Sequence, residues 1–433
     1  MKKTLLALCL GACSLFSMAQ TGTWTQIKDI DSPPNAPSGK IYVVGLGIGA
    51  KGYVGTGVNS THGAGVFYRD FESYDPGTGT WSEDAAFGGG SRVDAAGFAI
   101  GSKGYVGTGG DSTVSPWRKD FWAYDTVTGA WSQIADFGGA ARSSAVGFTI
   151  GAIGYVGTGA NQYGDLSDFW AYDPATNSWA RKADFGGGPR YGAVGLGIGG
   201  KGYIGTGNDP VETPTPTFFS DFWEYDPAAD TWTRKADFGG GTRTSASAFS
   251  IGAYGYVGMG NDSLGSDQIT YYPQKDLWQY DPAANTWTRQ TDLPGSARWG
   301  ATGFSVSGNG YIGLGASGAC NVCATVLHDF WQFSPGVAAP PPPDSGCHHI
   351  IDTFFVYPNP FHDHISIRAD ANAAGVAVLL VTDVAGRVVA IKVLYLQPGE
   401  NSAVLETGRW IRGLYYFNLR VKGDSKQVKA LKE

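Results

Sequence analysis

Charge is scarce in this sequence. Only 16% of its 433 residues are Asp, Glu, Lys or Arg, and the balance is acidic, with a formal net charge of −7. That excludes a nucleic-acid binder, which needs a basic face to neutralise phosphates. Aromatics reach 13%, which excludes disorder, a state of few aromatics and high net charge. Cysteine is also rare, with five in all. Cys9 and Cys13 fall in the N-terminal leader, and Cys320, Cys323 and Cys347 are too few to staple the remainder, so the fold must rest on its core. A long apolar run occurs once, over residues 4–16, after Lys2 and Lys3 and before the small-x-small site Ser17-Met18-Ala19. This predicts a secretory signal peptide over residues 1–19, cut between Ala19 and Gln20, and too short to span a bilayer. An alternative is a lipoprotein cut before Cys13, because Leu10-Gly11-Ala12-Cys13 loosely fits a lipobox. No later segment is apolar enough for a membrane span. What abounds is glycine, 66 residues of it, which suggests short strands joined by tight turns.

One pattern recurs six times. Its first half reads GFTIGAIGYVGTG at 147–159 and its second half DFWAYDPATNSW at 168–179. The first-half tyrosines are Tyr53, Tyr105, Tyr155, Tyr203, Tyr256 and Tyr311, spaced 48 to 55 residues apart. A period near 50 with fixed Gly, Tyr and Trp offsets marks a repeat architecture. Each repeat divides into four short runs of aromatic and β-branched residues, strands a to d, separated by Gly or Asp-Pro turns. Four strands per repeat, arranged radially, make a propeller blade. The sixth copy stops at 329–336 without a Trp strand, whereas TGTWTQI at 21–27 is a lone strand d ahead of the first strand a. Ring closure resolves both, with the N-terminal segment completing blade six.

The GYVGTG and WxYDPxxxxW motifs, in six ordered copies over about residues 21–337, resemble kelch repeats. They depart from that pattern in ending strand b with Gly-x-Gly where adjacent glycines are usual. The predicted fold is therefore all-β, a six-bladed kelch propeller over residues 20–337. A Pro-rich linker follows at 338–350, and then a small Ig-like β-sandwich at 351–433. YPNP at 357–360, DVAGR at 383–387 and GLYYFNL at 413–419 resemble the C-terminal sorting domain of type IX secretion in Bacteroidota. That resemblance implies the type IX machinery as a partner, export across the outer membrane, and removal of the tail with attachment at the cell surface.

From each Trp to the next Tyr is 24 residues in five copies, and length varies between Tyr and the strand-c Asp. Insertions thus go into the b–c loops, which share a face with the d–a loops. Variable loops on a rigid scaffold are where binding sits. Three sets of candidates follow. Lys40, Arg92, Arg142, Arg190, Arg243 and Arg298 each lie 13 residues before a repeat tyrosine and are expected to ring the channel mouth, where they could hold carboxylate or sulfate. Pairing within the scaffold is the favoured reading of these cations, with Asp136, Asp184, Asp237 and Asp292, six residues upstream, as partners. The b–c loops carry Phe67, Tyr68, Trp117, Tyr163, Phe218, Phe219, Tyr271 and Tyr272, which either stack on a sugar or protein ligand or fold inward to pin their own loops. Cys320 and Cys323 are expected to form a loop disulfide, or one of them to pair with Cys347. Irregular spacing speaks against a zinc site there.

Relatives of the kelch type include copper-radical oxidases, but the propeller offers only His62 and His328 as histidines and six blades where those enzymes have seven. A bacterial six-bladed kelch enzyme that interconverts sialic acid anomers is another architectural relative, with no local motif here to support it. The sialidase Asp-box is absent. Asn261-Asp262-Ser263 gives no complete calcium ligand set. No cofactor or metal is implied. The leading expectation is a non-catalytic surface module for a glycan or protein. A sugar-active enzyme at the channel mouth is the alternative, and a purely structural surface protein is the third. An enzyme would need convergent polar residues that differ between blades.

Overall fold

The computed structural model describes residues 22–30, 39–60, 65–111, 117–209, 217–264, 271–318, 324–336, 351–371, 374–384, 387–421 and 424–433. The stretch expected to be a signal peptide, with Ala19 and Gln20, the segment expected to be a Pro-rich linker, His62, and Cys320, Cys323 and Cys347 lie outside the described residues. The chain divides into two compact units, Met1–Val337 and Ala338–Glu433.

The first unit is the propeller. Six four-stranded antiparallel sheets follow one another, each ordered a-b-c-d. Blade three shows the pattern, with Val146–Ile150, Ile153–Gly157, Phe169–Asp173 and Ser178–Lys182 as strands a to d. Strand a alternates buried Val146, Phe148 and Ile150 with Gly147 and Thr149, as a strand wedged between neighbouring blades should. The core is repeated between blades. Val44, Leu46, Ile48, Tyr53 and Phe71 of blade one pack on Val106, Tyr124 and Trp131 of blade two.

Blade six closes as the repeat arithmetic predicts. Its sheet runs Thr302–Val306, Asn309–Gly313, Phe330–Ser334 and, as strand d, Thr23–Ile27 from the N-terminus. The tryptophan of every strand d donates its Nε1 hydrogen to a carbonyl of the preceding d–a connection. Trp131 reaches Ala85 O at 2.8 Å and Trp179 reaches Ala135 O at 3.1 Å. Trp24 does the same to Thr291 O at 2.8 Å. The closing strand thus makes the latch that every other blade makes.

Strands a of adjacent blades touch all round the ring and wall a narrow central channel. A Cβ on Gly147 would stand 2.6 Å from Gly97 O of the neighbouring strand, so glycine is what lets the innermost strands approach so closely.

The second unit is a seven-stranded sandwich. One sheet orders Ile351–Tyr357, His364–Ala371 and Gly399–Glu406, and the other orders Val388–Leu396, Gly375–Asp383, Gly413–Val421 and Asp424–Lys432. Phe361, Ile365, Ile367, Leu379, Val381, Phe417 and Leu419 are buried between them. In the DVAGR turn, Arg387 Nε donates to Asp383 Oδ2 at 2.8 Å.

Candidate site at the channel mouth

The six repeated cations do not line an open mouth. Arg92, Arg142, Arg190 and Arg298 are fully buried, Arg243 and Lys40 nearly so. Arg142 grips Asp168 with two bonds of 2.7 Å, and its Nη1 also donates to Thr158 O at 2.9 Å. Its guanidinium lies over Phe137, 4.8 Å from the ring centre. Trp170 Nε1 donates to the same carboxylate at 2.7 Å. Burial raises the Asp168 carboxyl, but the Arg142 bonds and charge and the Trp170 bond outweigh it, and the result lies below the ordinary range. Arg92 with Asp120, Arg190 with Asp221, Arg243 with Asp276 and Arg298 with Asp329 repeat the arrangement.

Pairing within the scaffold is therefore correct in kind, but the expected partners are not the ones used. Asp184, Asp237 and Asp292 bind Arg181, Arg234 and Arg289 three residues upstream on the exposed outer strand, and Asp136 accepts from Gln133. The cation reaches across strand b to the aspartate that opens strand c of its own blade. In that dry position a guanidinium needs a carboxylate beside it.

Blade one is the variant. Lys40 replaces Arg and Glu72 stands where the other blades have Trp, and Lys40 Nζ bonds Asp70 and lies 3.4 Å from Glu72 Oε1. Burial pushes the Glu72 carboxyl up to about 7, with Lys40 opposing and Asp70 and Glu83 adding to the rise. A folded-state value above the unfolded one means stability that is complete below the unfolded value and lost as pH climbs toward 7. Glu72→Gln is expected to flatten that decline and to raise stability at pH 8 by about 1–3 kcal/mol. Urea titrations of both proteins at pH 4.5 and pH 8 measure it, and an unchanged pH slope would refute it.

The loop aromatics divide. Tyr163 is 87% exposed and Tyr272 47% exposed. Phe67, Tyr68, Trp117, Phe218 and Phe219 are half-buried. Tyr68 lies 5.0 Å from Lys40 Nζ and Phe219 lies 4.0 Å from the Arg190 guanidinium, so these two cover the buried cations. Phe67 packs on a small cluster of Ile41, Val58, Trp299 and Ala316 under the loops. Tyr271 belongs to a short loop strand, Tyr271–Pro273. Asp262 accepts from Gln274 Nε2 at 2.9 Å, and His328 lies 3.4 Å from Asp29.

The residues that do converge on the axis are two places after each cation. They are Tyr42, Asp94, Ser144, Gly192, Ser245 and Gly300, and they line a cavity of about 270 Å³ at the mouth. Beneath them Val43, Ala95, Ala145, Ala193, Ala246 and Ala301 form a ring of small side chains. All six upper positions are left-handed, with φ between 50° and 64°. Four carry side chains there, a strained choice that clusters at working sites. Their backbones bond to one another around the axis. Ser144 N–H donates to Asp94 O at 3.0 Å, Asp94 N–H to Tyr42 O at 3.3 Å, Tyr42 N–H to Gly300 O at 2.9 Å, Gly300 N–H to Ser245 O at 3.1 Å, and Ser245 N–H to Gly192 O at 2.9 Å. The Tyr42 ring lies against Gly300, where a Cβ would come within 3.2 Å of it, and packs on Trp299 at 5.8 Å. Burial pushes the Asp94 carboxyl up to about 7, and a Ser144 hydrogen bond draws it back only in part.

Sequence reasoning singled out none of these residues. The signal was available: the cation repeats, whereas the residue two places on changes in character from blade to blade.

Residues 355–433 match the family described as the secretion system C-terminal sorting domain. Among solved structures, the one titled "Structure of YjhT" is similar at a TM-score of 0.56 with 16% identity, covering 70% of this chain and 96% of that chain. At that identity the likeness shows the fold alone. No curated protein matches the chain.

Proposed function

Because the chain ends in a type IX sorting domain and is exported by that route, we propose that its propeller is a glycan-binding module of the cell surface or extracellular space. One observation carries this reading. Four polar side chains, Tyr42, Asp94, Ser144 and Ser245, converge on one cavity at a position whose residue varies among the blades, held by a backbone whose φ values are positive at all six positions. The Tyr42 ring offers an aromatic surface for the apolar face of a sugar, and Asp94, Ser144 and Ser245 offer hydrogen-bonding groups for its hydroxyls. A cavity of about 270 Å³ suits one terminal residue of a glycan, with exposed Tyr163 and Tyr272 on the loops available to the next units. On a glycan array the purified protein is expected to bind selectively, and Tyr42→Ala to weaken that binding about tenfold, the worth of one good stacking contact. A blank array would move the reading to a protein partner held by the b–c loops.

A second reading, a sugar-active enzyme, is favoured by Asp94 alone. A carboxyl near 7 in a cavity is poised to take and return protons at neutral pH. Exchange between anomers of reducing sugars, followed by NMR, tests this. Catalysis abolished by Asp94→Asn would support the enzyme, and no acceleration over buffer would leave the binding module.

A further inference from the structure

The mouth differs from the rest of its face in charge. Its thirteen lining residues contain no Lys, Arg or His, and Asp94 is their one carboxylic acid. The remaining ionisable groups of the lining are the phenols of Tyr42 and Tyr191. On the blade of Asp94, Arg118 is paired with Asp111, and the two cations that stand two residues before Asp94 and Ser144, Arg92 and Arg142, are each fully buried and gripped by their own aspartate, Asp120 or Asp168. Neither is available to a ligand without breaking a bidentate pair. Arg69, Lys119 and Lys275 are exposed, but each stands one residue before a strand-c aspartate, two strands out from the axis.

We infer that the channel mouth takes an uncharged sugar residue and rejects sugars that carry a carboxylate or sulfate. This rests on the glycan-binding reading above and specifies its ligand. A sugar acid seated in the mouth would lose its water with no cation to replace it, and desolvating an unpaired charge is costly. Specificity of this kind comes from the group that repels as much as from those that attract. The repelling group is Asp94, so rejection should strengthen as Asp94 ionises. Its carboxyl sits near 7 because burial opposes the charge. Sugar acids are already anionic at pH 5.5, so a change in selectivity between pH 5.5 and pH 8.5 reports Asp94 and not the ligand.

The test uses the full-length exported protein and matched glycan pairs that differ in one group: terminal glucose against glucuronic acid, and galactose against galacturonic acid. Affinities are read at pH 5.5 and pH 8.5. The neutral member is expected to bind more tightly at both, by about tenfold or more at pH 8.5 and by a smaller factor at pH 5.5, in line with the cost of facing like charges. In Asp94→Asn the ratio is expected to become the same at the two pH values, because an amide does not titrate. Tighter binding of the acidic member at either pH overturns the inference and leaves the glycan module standing. A selectivity ratio with the same pH course in wild type and Asp94→Asn also overturns it. Failure to bind any member overturns this inference, and a blank glycan array alongside it overturns the glycan reading itself.

Discussion

Arg142→Ala should destabilise the propeller by about 3–5 kcal/mol while leaving ligand affinity per folded molecule within twofold of wild type. The truncation uncovers the Phe137 ring and leaves Asp168 with its guanidinium partner gone and Trp170 still donating to it. It also strips Thr158 O of its donor, at a position where Thr158 holds a left-handed φ of 59°. An orphaned carboxylate in an enclosed site is the costly outcome, more so than the loss of the pair's own attraction. Arg142→Lys should recover part of the loss, because a point charge satisfies one oxygen where the planar fork satisfies two. Blade one shows that Lys is tolerated at this place, but there Glu72 has replaced the tryptophan as well. Chemical denaturation followed by tryptophan emission measures the effect cleanly, since every tryptophan except Trp410 lies in the propeller unit. A variant that keeps its stability but loses glycan binding would return the arginines to the ligand site.

The contrast between scaffold and site explains what the sequence could reveal. Blade number and closure were legible because they depend on regular spacing. The Tyr-to-Tyr period counts the blades, and the missing strand-d Trp beyond Phe330–Ser334 together with the extra Trp24 requires the ends to meet. The sorting domain was legible in its ordered motifs, one of which, Asp383 to Arg387, closes its turn with a salt bridge. The cation was visible and its need for a partner could be argued, but linear proximity suggested Asp184 for Arg190. The partner is Asp221, 31 residues away, because strand b lies between strands a and c and the side chain passes over it. The mouth was illegible for a deeper reason. A search for repeats finds what the blades share, and the residues proposed to meet the ligand are those the blades do not share. Tyr42, Asp94 and the two serines Ser144 and Ser245 share no single residue type. Their common property is a positive φ set by the backbone ring, which no residue type announces except the glycines at 192 and 300.

The same logic of closure sets the largest effect expected in this chain. Deleting residues 21–27 removes strand d of blade six, and with it the ladder from Thr23 opposite Ser334 to Ile27 opposite Phe330. Trp24 leaves its place 5.1 Å from the Phe333 ring, and Phe333, fully buried in the intact ring, becomes exposed. The latch from Trp24 Nε1 to Thr291 O is lost, and so is the Thr291 Oγ1 bond to Gly22 O. Removing a large aromatic from a core costs about 3–5 kcal/mol by itself. An unpaired edge on Phe330–Ser334 adds to this and offers a template for aggregation. The sum exceeds about 5 kcal/mol, the whole margin of many domains, so the deleted chain should lack the cooperative tryptophan transition of the full one. Trp24→Ala, which keeps the ladder and removes only the ring and its latch, should sit between the two. A synthetic peptide of residues 21–30 added in trans should restore the transition in a concentration-dependent way, since it carries the complete strand and Trp24. If the deleted chain instead melts within about 1 kcal/mol of the full one, closure is carried by the contacts among the innermost strands around the axis, and the N-terminal strand merely covers an edge.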